Sequence, residues 1–140
     1  MEDYDLYKEA GKIAGEARRK GIAYVKEGRS YLEVAEYIED YILQRAELAF
    51  PVNISVNSTA AHYTPSKHDE KVFKRGDVVK IDVGAHVDGY IGDTAATVEV
   101  GTSLYADLIE TAKMALQEAI RVVKAGVKIE EISRAIEEKI

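Results

Sequence analysis

The stretch Lys80–Thr94, reading KIDVGAHVDGYIGDT, restricts the possible folds more than any other part of this chain. Asp88-Gly89 sits between two runs that alternate apolar and polar residues, the strongest short-range signature of a tight β-hairpin. With a two-residue turn, Val87 faces Tyr90 and Asp82 faces Ala95. Side chains of a strand alternate between its faces, so Asp82 and Asp93 emerge on the same face as diagonal cross-strand neighbours, about 7–8 Å apart. A four-residue turn keeps that parity, whereas a three-residue turn or a bulge would send the two carboxylates to opposite faces.

The same register sorts the remaining side chains. Val79, Ile81, Val83 and Ala85 form an apolar set with Ala96, Val98 and Val100 opposite. Lys80, Asp82, Gly84 and His86 form a polar set facing Asp93, Ala95, Thr97 and Glu99. One face is core and the other is polar, with two carboxylates converging. Carboxylates that close repel unless a proton or a cation intervenes. Three readings follow: a solvated face with two unrelated acids, an acid–base pair, or a site for one or two hard divalent cations.

The rest of the chain supplies helices. Leu6, Ala10, Ile13, Ala14, Ala17, Gly21, Tyr24 and Val25 make a helical stripe to about residue 26, and Gly28 suits its end. Ser30 with Glu33 is a capping box for a second helix, whose stripe runs to about residue 47. Pro51 breaks that pattern, and Val52–Asn57 alternates like a short strand. Residues 66–76 are charged and turn-like, and are expected to form an exposed connection. A third helix carries Tyr105, Leu108, Ile109, Ala112, Ala115, Leu116, Ala119, Ile120 and Val123, and a fourth starts near Ile129. The expected fold is α/β, in the α+β sense: about four helices on a small antiparallel sheet, with residues 1–140 as a single domain.

With 140 residues, 46% of them hydrophobic and 31% charged, the chain is long enough and apolar enough for one domain with a core. A net charge of −6 with no basic patch argues against nucleic acid as a partner. The absence of cysteine removes disulfides and thiolate metal sites. The polar start and the lack of any apolar run near ~18 residues predict neither a signal peptide nor a membrane span, hence a cytoplasmic protein.

Among the histidines, His62 lies in a loop bracketed by Ala60, Ala61 and Pro65; alone, such a residue is more often structural or exposed than catalytic. His68 receives no role. His86 shares the polar face with Asp82, although a histidine near a hairpin tip is ordinarily just exposed. Asp88 is explained by the turn, since Asp tolerates the left-handed conformation.

The wording of these segments resembles the methionine aminopeptidases. IDVG before the hairpin turn and DTA after it match the first two metal ligands of that family. The run Ala49-Phe50-Pro51-Val52-Asn53-Ile54-Ser55-Val56-Asn57, followed by Ala60-Ala61-His62-Tyr63-Thr64-Pro65, is similar to the type II branch in its archaeal form. The resemblance spans essentially all 140 residues.

It implies the pita-bread fold, here its N-terminal half, and metal-dependent removal of N-terminal methionine from peptides and nascent proteins. It also implies two divalent ions (Co, Mn, Fe or Zn), with Asp82 and Asp93 as ligands, the latter bridging. His62 becomes a catalytic and substrate-contacting residue, Phe50 a wall of the methionine pocket, and the Thr94 hydroxyl a support for the site. The family's remaining ligands, one histidine and two glutamates, have no counterparts here. The expectation is therefore a half-domain, truncated or engineered, that needs its C-terminal half or a second copy of itself. A non-catalytic scaffold and a proline-dipeptidase-like relative are the alternatives; the AFP-N and AAHYTP wording speaks against the second.

Overall fold

A computed structural model describes residues 3–140. The chain divides into two compact units, 1–102 and 103–140. The first contains helices α1 (Asp3–Tyr24) and α2 (Tyr31–Leu43) and strands β1 (Glu47–Val56), β2 (Val78–Val87) and β3 (Tyr90–Glu99). The strands form an antiparallel sheet in the order β1-β2-β3.

The hairpin follows the register expected from sequence. Val87 pairs with Tyr90 and Asp82 with Ala95, and the turn places Asp88 and Gly89 at φ 51° and 85°, the left-handed pair of a type I′ turn. Val79, Ile81, Val83 and Ala85 are completely buried. They are covered by α1 and α2, which lie on one face of the sheet. Small residues bring α1 close: Ala10, Ala14 and Ala17 are fully buried. At Gly92 the approach is backbone to backbone, since a methyl group there would overlap Ala10 and Gly11 of α1.

The capping box forms as expected. Ser30 Oγ accepts from Glu33 N at 3.0 Å and Glu33 Oε2 accepts from Ser30 N at 2.8 Å. Both boundaries after it differ from the expectation. α2 stops at Leu43, because Glu47 is already paired with His86 across the sheet and strand pairing overrides the local helical pattern. β1 runs through Pro51 instead of starting after it. The register slips between Leu48 and Phe50 and again between Phe50 and Asn53, and the proline, which has no N–H to donate, sits in the second of these stretches. The amide of Val52, in the second irregular stretch, donates to Glu39 Oε1 of α2 at 3.0 Å.

The connection 66–76 is less exposed than its charge suggests. Lys71, Lys74 and Arg75 face solvent, but Phe73 is fully buried and stacks on Tyr31 with ring centroids 4.6 Å apart. Backbone bonds from Gly28 N to Phe73 O (2.8 Å) and from Phe73 N to Arg29 O (2.9 Å) pin the segment to the α1–α2 loop.

The second unit consists of α3 (Ala106–Val122) and α4 (Ile129–Glu137), which pack on each other. Leu108, Leu116 and Ile120 of α3 are all more than half exposed. No residue of α4 is buried.

Candidate functional site

The sheet face opposite α1 and α2 carries the site. Strand parity delivers Lys80, Asp82, Gly84 and His86 from β2 to that face, with Asp93 and Ala95 from β3 beside them. Asp82 and Asp93 come close enough for the charge of one to act on the other. The Asp82 carboxyl is held above its ordinary range, first because it is partly buried and then because the charge of Asp93 lies next to it. Two groups oppose this: the amide of Asn53, its cross-strand neighbour on β1, and the nearby His62.

Phe50 completes the same face. It pairs with Gly84, and its ring occupies the place that a side chain at 84 would fill. Only glycine lets the aromatic lie flat on the strand at this point, between Asp82 and His86. His62 sits in the loop after β1 with φ 65°, a left-handed conformation that few non-glycine residues adopt. The neighbouring residue fixes it there. Tyr63 N donates to the buried Ser55 Oγ at 3.2 Å, Ile54 N donates to Tyr63 O at 2.7 Å, and the Tyr63 phenol is clamped between Asp69 and Lys71.

Strand parity brings Asp82 and Asp93 together as expected, and Phe50 and His62, which only the family resemblance assigned to a site, lie in the same region. Two expectations change. The Thr94 side chain faces the helices, not the carboxylates, because its neighbour Asp93 takes the site face. Arg18 Nη1 of α1 donates to Thr94 Oγ1 at 2.6 Å and to Ala95 O at 3.2 Å, so Thr94 holds the strand to its helix. His86 does share the face, but both ring nitrogens are engaged. Nδ1 accepts from Gly89 N at 3.2 Å, and Nε2 faces Glu47 Oε2 at 3.2 Å. His68 lines an open surface hollow with Tyr63, Asp69 and Lys71, away from the carboxylate pair.

Sequence reasoning missed Asn53 and Arg18. Asn53 left a faint trace, a strongly polar residue between Val52 and Ile54 in a strand, where such residues are depleted.

Two carboxylates forced together on an open polar face suit a hard divalent cation, which would relieve the repulsion that lifts Asp82. They supply only part of a coordination shell. Among the described residues, no cluster of three or more His, Cys, Asp or Glu side chains is positioned to hold a metal. The donor set therefore fits a metal while leaving most of its positions to other groups.

Comparison with known proteins agrees with this picture. The chain is 53% identical over 139 residues to the methionine aminopeptidase of Pyrococcus abyssi, covering 99% of this chain and 47% of that protein. It thus spans about half the length of that relative. Among solved structures, a methionine aminopeptidase from Thermotoga maritima superposes with a TM-score of 0.91 at 30% identity, covering 99% of this chain and 59% of that one. A prolidase from Thermococcus sibiricus gives a TM-score of 0.84 at 28% identity, with coverage of 99% and 39%. The pita-bread architecture is common to all of them. Residues 5–140 match the profile of metallopeptidase family M24, and the chain belongs to that family.

Proposed function

We propose that these residues form the N-terminal half of a pita-bread catalytic domain that removes N-terminal methionine from peptides and nascent proteins. One observation carries the proposal: Asp82 and Asp93 converge on a sheet face that also holds Phe50 and lies beside His62. Such a substrate is met where proteins are synthesised, so the proposed setting is the cytoplasm.

Asp82 and Asp93 would hold the cations. Co, Mn, Fe and Zn all accept such ligands. When bound, the metal pair supplies a water activated at neutral pH and an electrophile for the scissile carbonyl. Phe50, fixed on Gly84, would form an apolar wall against the methionine side chain and exclude water. His62, held in its strained conformation, would offer a ring N–H to the amide being cut. The proton transfer to the leaving amine would fall to a group supplied by a C-terminal half or by a second copy of this chain.

The missing ligands would come from a C-terminal half or from a second copy of this chain, a true twofold replacing an internal one. A methionyl-peptide hydrolysis assay with added Mn or Co, together with solution mass by light scattering, separates these cases. Activity in a dimer of this chain, abolished by Asp82→Ala, supports self-pairing. A monomer that is inactive alone and active once a C-terminal half is added supports the half-domain. Inactivity under both conditions would leave a non-catalytic scaffold. The prolidase likeness favours a second reading, hydrolysis before proline. Cleavage of X-Pro dipeptides in preference to methionyl peptides would establish it over the first.

A further inference from the structure

Asn53 stands where a purely structural strand would carry Val or Thr. Its neighbours Val52 and Ile54 are fully buried, and it points to the opposite, polar face, directly across from Asp82. Thr64 Oγ1 donates to Asn53 Oδ1 at 2.8 Å, which leaves the amide NH2 available to the Asp82 carboxylate across the strand pair, a group that can only accept. Thr64 lies two residues after His62, in the loop stitched to β1 through Tyr63. The histidine loop is therefore hydrogen-bonded to the one side chain that stands directly across the sheet from one of the two converging carboxylates.

We infer that Asn53 is a positioning residue: it fixes the rotamer of Asp82 and ties that carboxylate to the loop that presents His62, so that the two are aligned together. A strand places Cβ atoms well but leaves a carboxylate free to rotate. An amide held rigidly from its far side removes that freedom, as outer partners commonly do for ligating side chains. The carboxylate, which can only accept, itself disfavours the flipped amide, and the Thr64 hydroxyl holds the amide oxygen of the retained orientation from its far side. The importance of this alignment for cation binding rests on the function proposed above. The physical coupling does not.

The test is a double-mutant cycle on the 140-residue chain, followed by heteronuclear NMR at fixed pH without metal. Thr64→Val, in an exposed loop, is expected to shift the Asp82 13Cγ resonance and to speed exchange of the Asn53 side-chain NH2, although Thr64 does not touch Asp82. Thr64→Ser, which keeps the hydroxyl, is expected to restore both. In an Asn53→Ala background, Thr64→Val is expected to leave Asp82 unmoved. If Thr64→Val and Thr64→Ser behave alike, or the Asp82 shift persists without Asn53, the inference falls.

A Mn2+ titration adds a second readout, in which Asn53→Ala is expected to weaken binding at Asp82 and Asp93 on the order of tenfold. Unchanged Mn2+ affinity in that variant would remove the positioning role. Absence of site-specific Mn2+ broadening in the unsubstituted chain would instead count against the metal site, while the cycle still decides the coupling.

Discussion

The two units of this chain use the same helical grammar and reach opposite outcomes. In residues 3–102, the apolar stripe of α2 meets a sheet, and Val34, Ile38 and Ile42 are at most 1% exposed. In residues 103–140, the stripe of α3 follows an equally regular spacing, yet Leu116 and Ile120 are 57% and 62% exposed. Periodicity thus records which side of a helix seeks a partner without recording whether the partner is present. By this measure the first unit has a finished core. The second presents apolar side chains on a scale that folded proteins usually cover.

The sharpest way to break this contrast is to truncate one large apolar side chain in each unit. Phe73→Ala, in the first core, is expected to cost about 3–5 kcal/mol in urea unfolding followed by circular dichroism. Ile120→Ala in α3 is expected to cost no more than about 0.5 kcal/mol in the same measurement, because its side chain is already in water. Equal costs would mean that α3 buries its stripe in solution.

A smaller effect is expected at the edge of the first core. Ser30→Ala removes one arm of the capping box and should cost about 1 kcal/mol, while Ser30→Asp, which can still accept from Glu33 N, should recover part of it.

The smallest effect probes the site face, and its sign is diagnostic. The native Asp82 carboxyl is held above its unfolded range, mainly by burial and then by Asp93. A raised carboxyl favours the native state while protonated, and that contribution is lost as pH climbs through its native value. Asp82→Asn is therefore expected to stabilise the metal-free chain at neutral pH by less than about 1 kcal/mol, with the gain fading in acid. Thermal melts at a series of pH values would check this. Destabilisation at neutral pH would mean that Asp82 is paired with a cation or donor stronger than Asn53.

What the sequence made legible was whatever depends on short-range geometry. The hairpin register followed from period-two alternation and a two-residue turn, and it alone placed Asp82 beside Asp93. The capping box was readable because both partners lie within one helical turn. Features set by distant pairing were not. The start of β1 was hidden by Pro51, since nothing local shows that a bulge will absorb it. Phe73 looked like part of a charged loop, because its partner Tyr31 lies far back in the chain. Thr94 was given to the site by resemblance, although the parity that put Asp93 there sends its neighbour to Arg18. The link from Thr64 through Asn53 to Asp82 joins three segments whose relative register no local pattern encodes.

The seat of α1 on β3 at Gly92 has a consequence for how the molecule tolerates change. Most packed surfaces contain side chains that can rotate, so a small error in one place is absorbed by another rotamer nearby. Main chain resting on main chain at Ala10 and Gly11 has no such adjustable part. The separation between helix and strand is thus fixed at one point, and seven residues further along α1, roughly 10 Å by helical rise, Arg18 reaches Thr94 and Ala95. One rigid backbone contact and one arginine tether on the same strand therefore flank Asp93. A single methyl group at position 92 would move it.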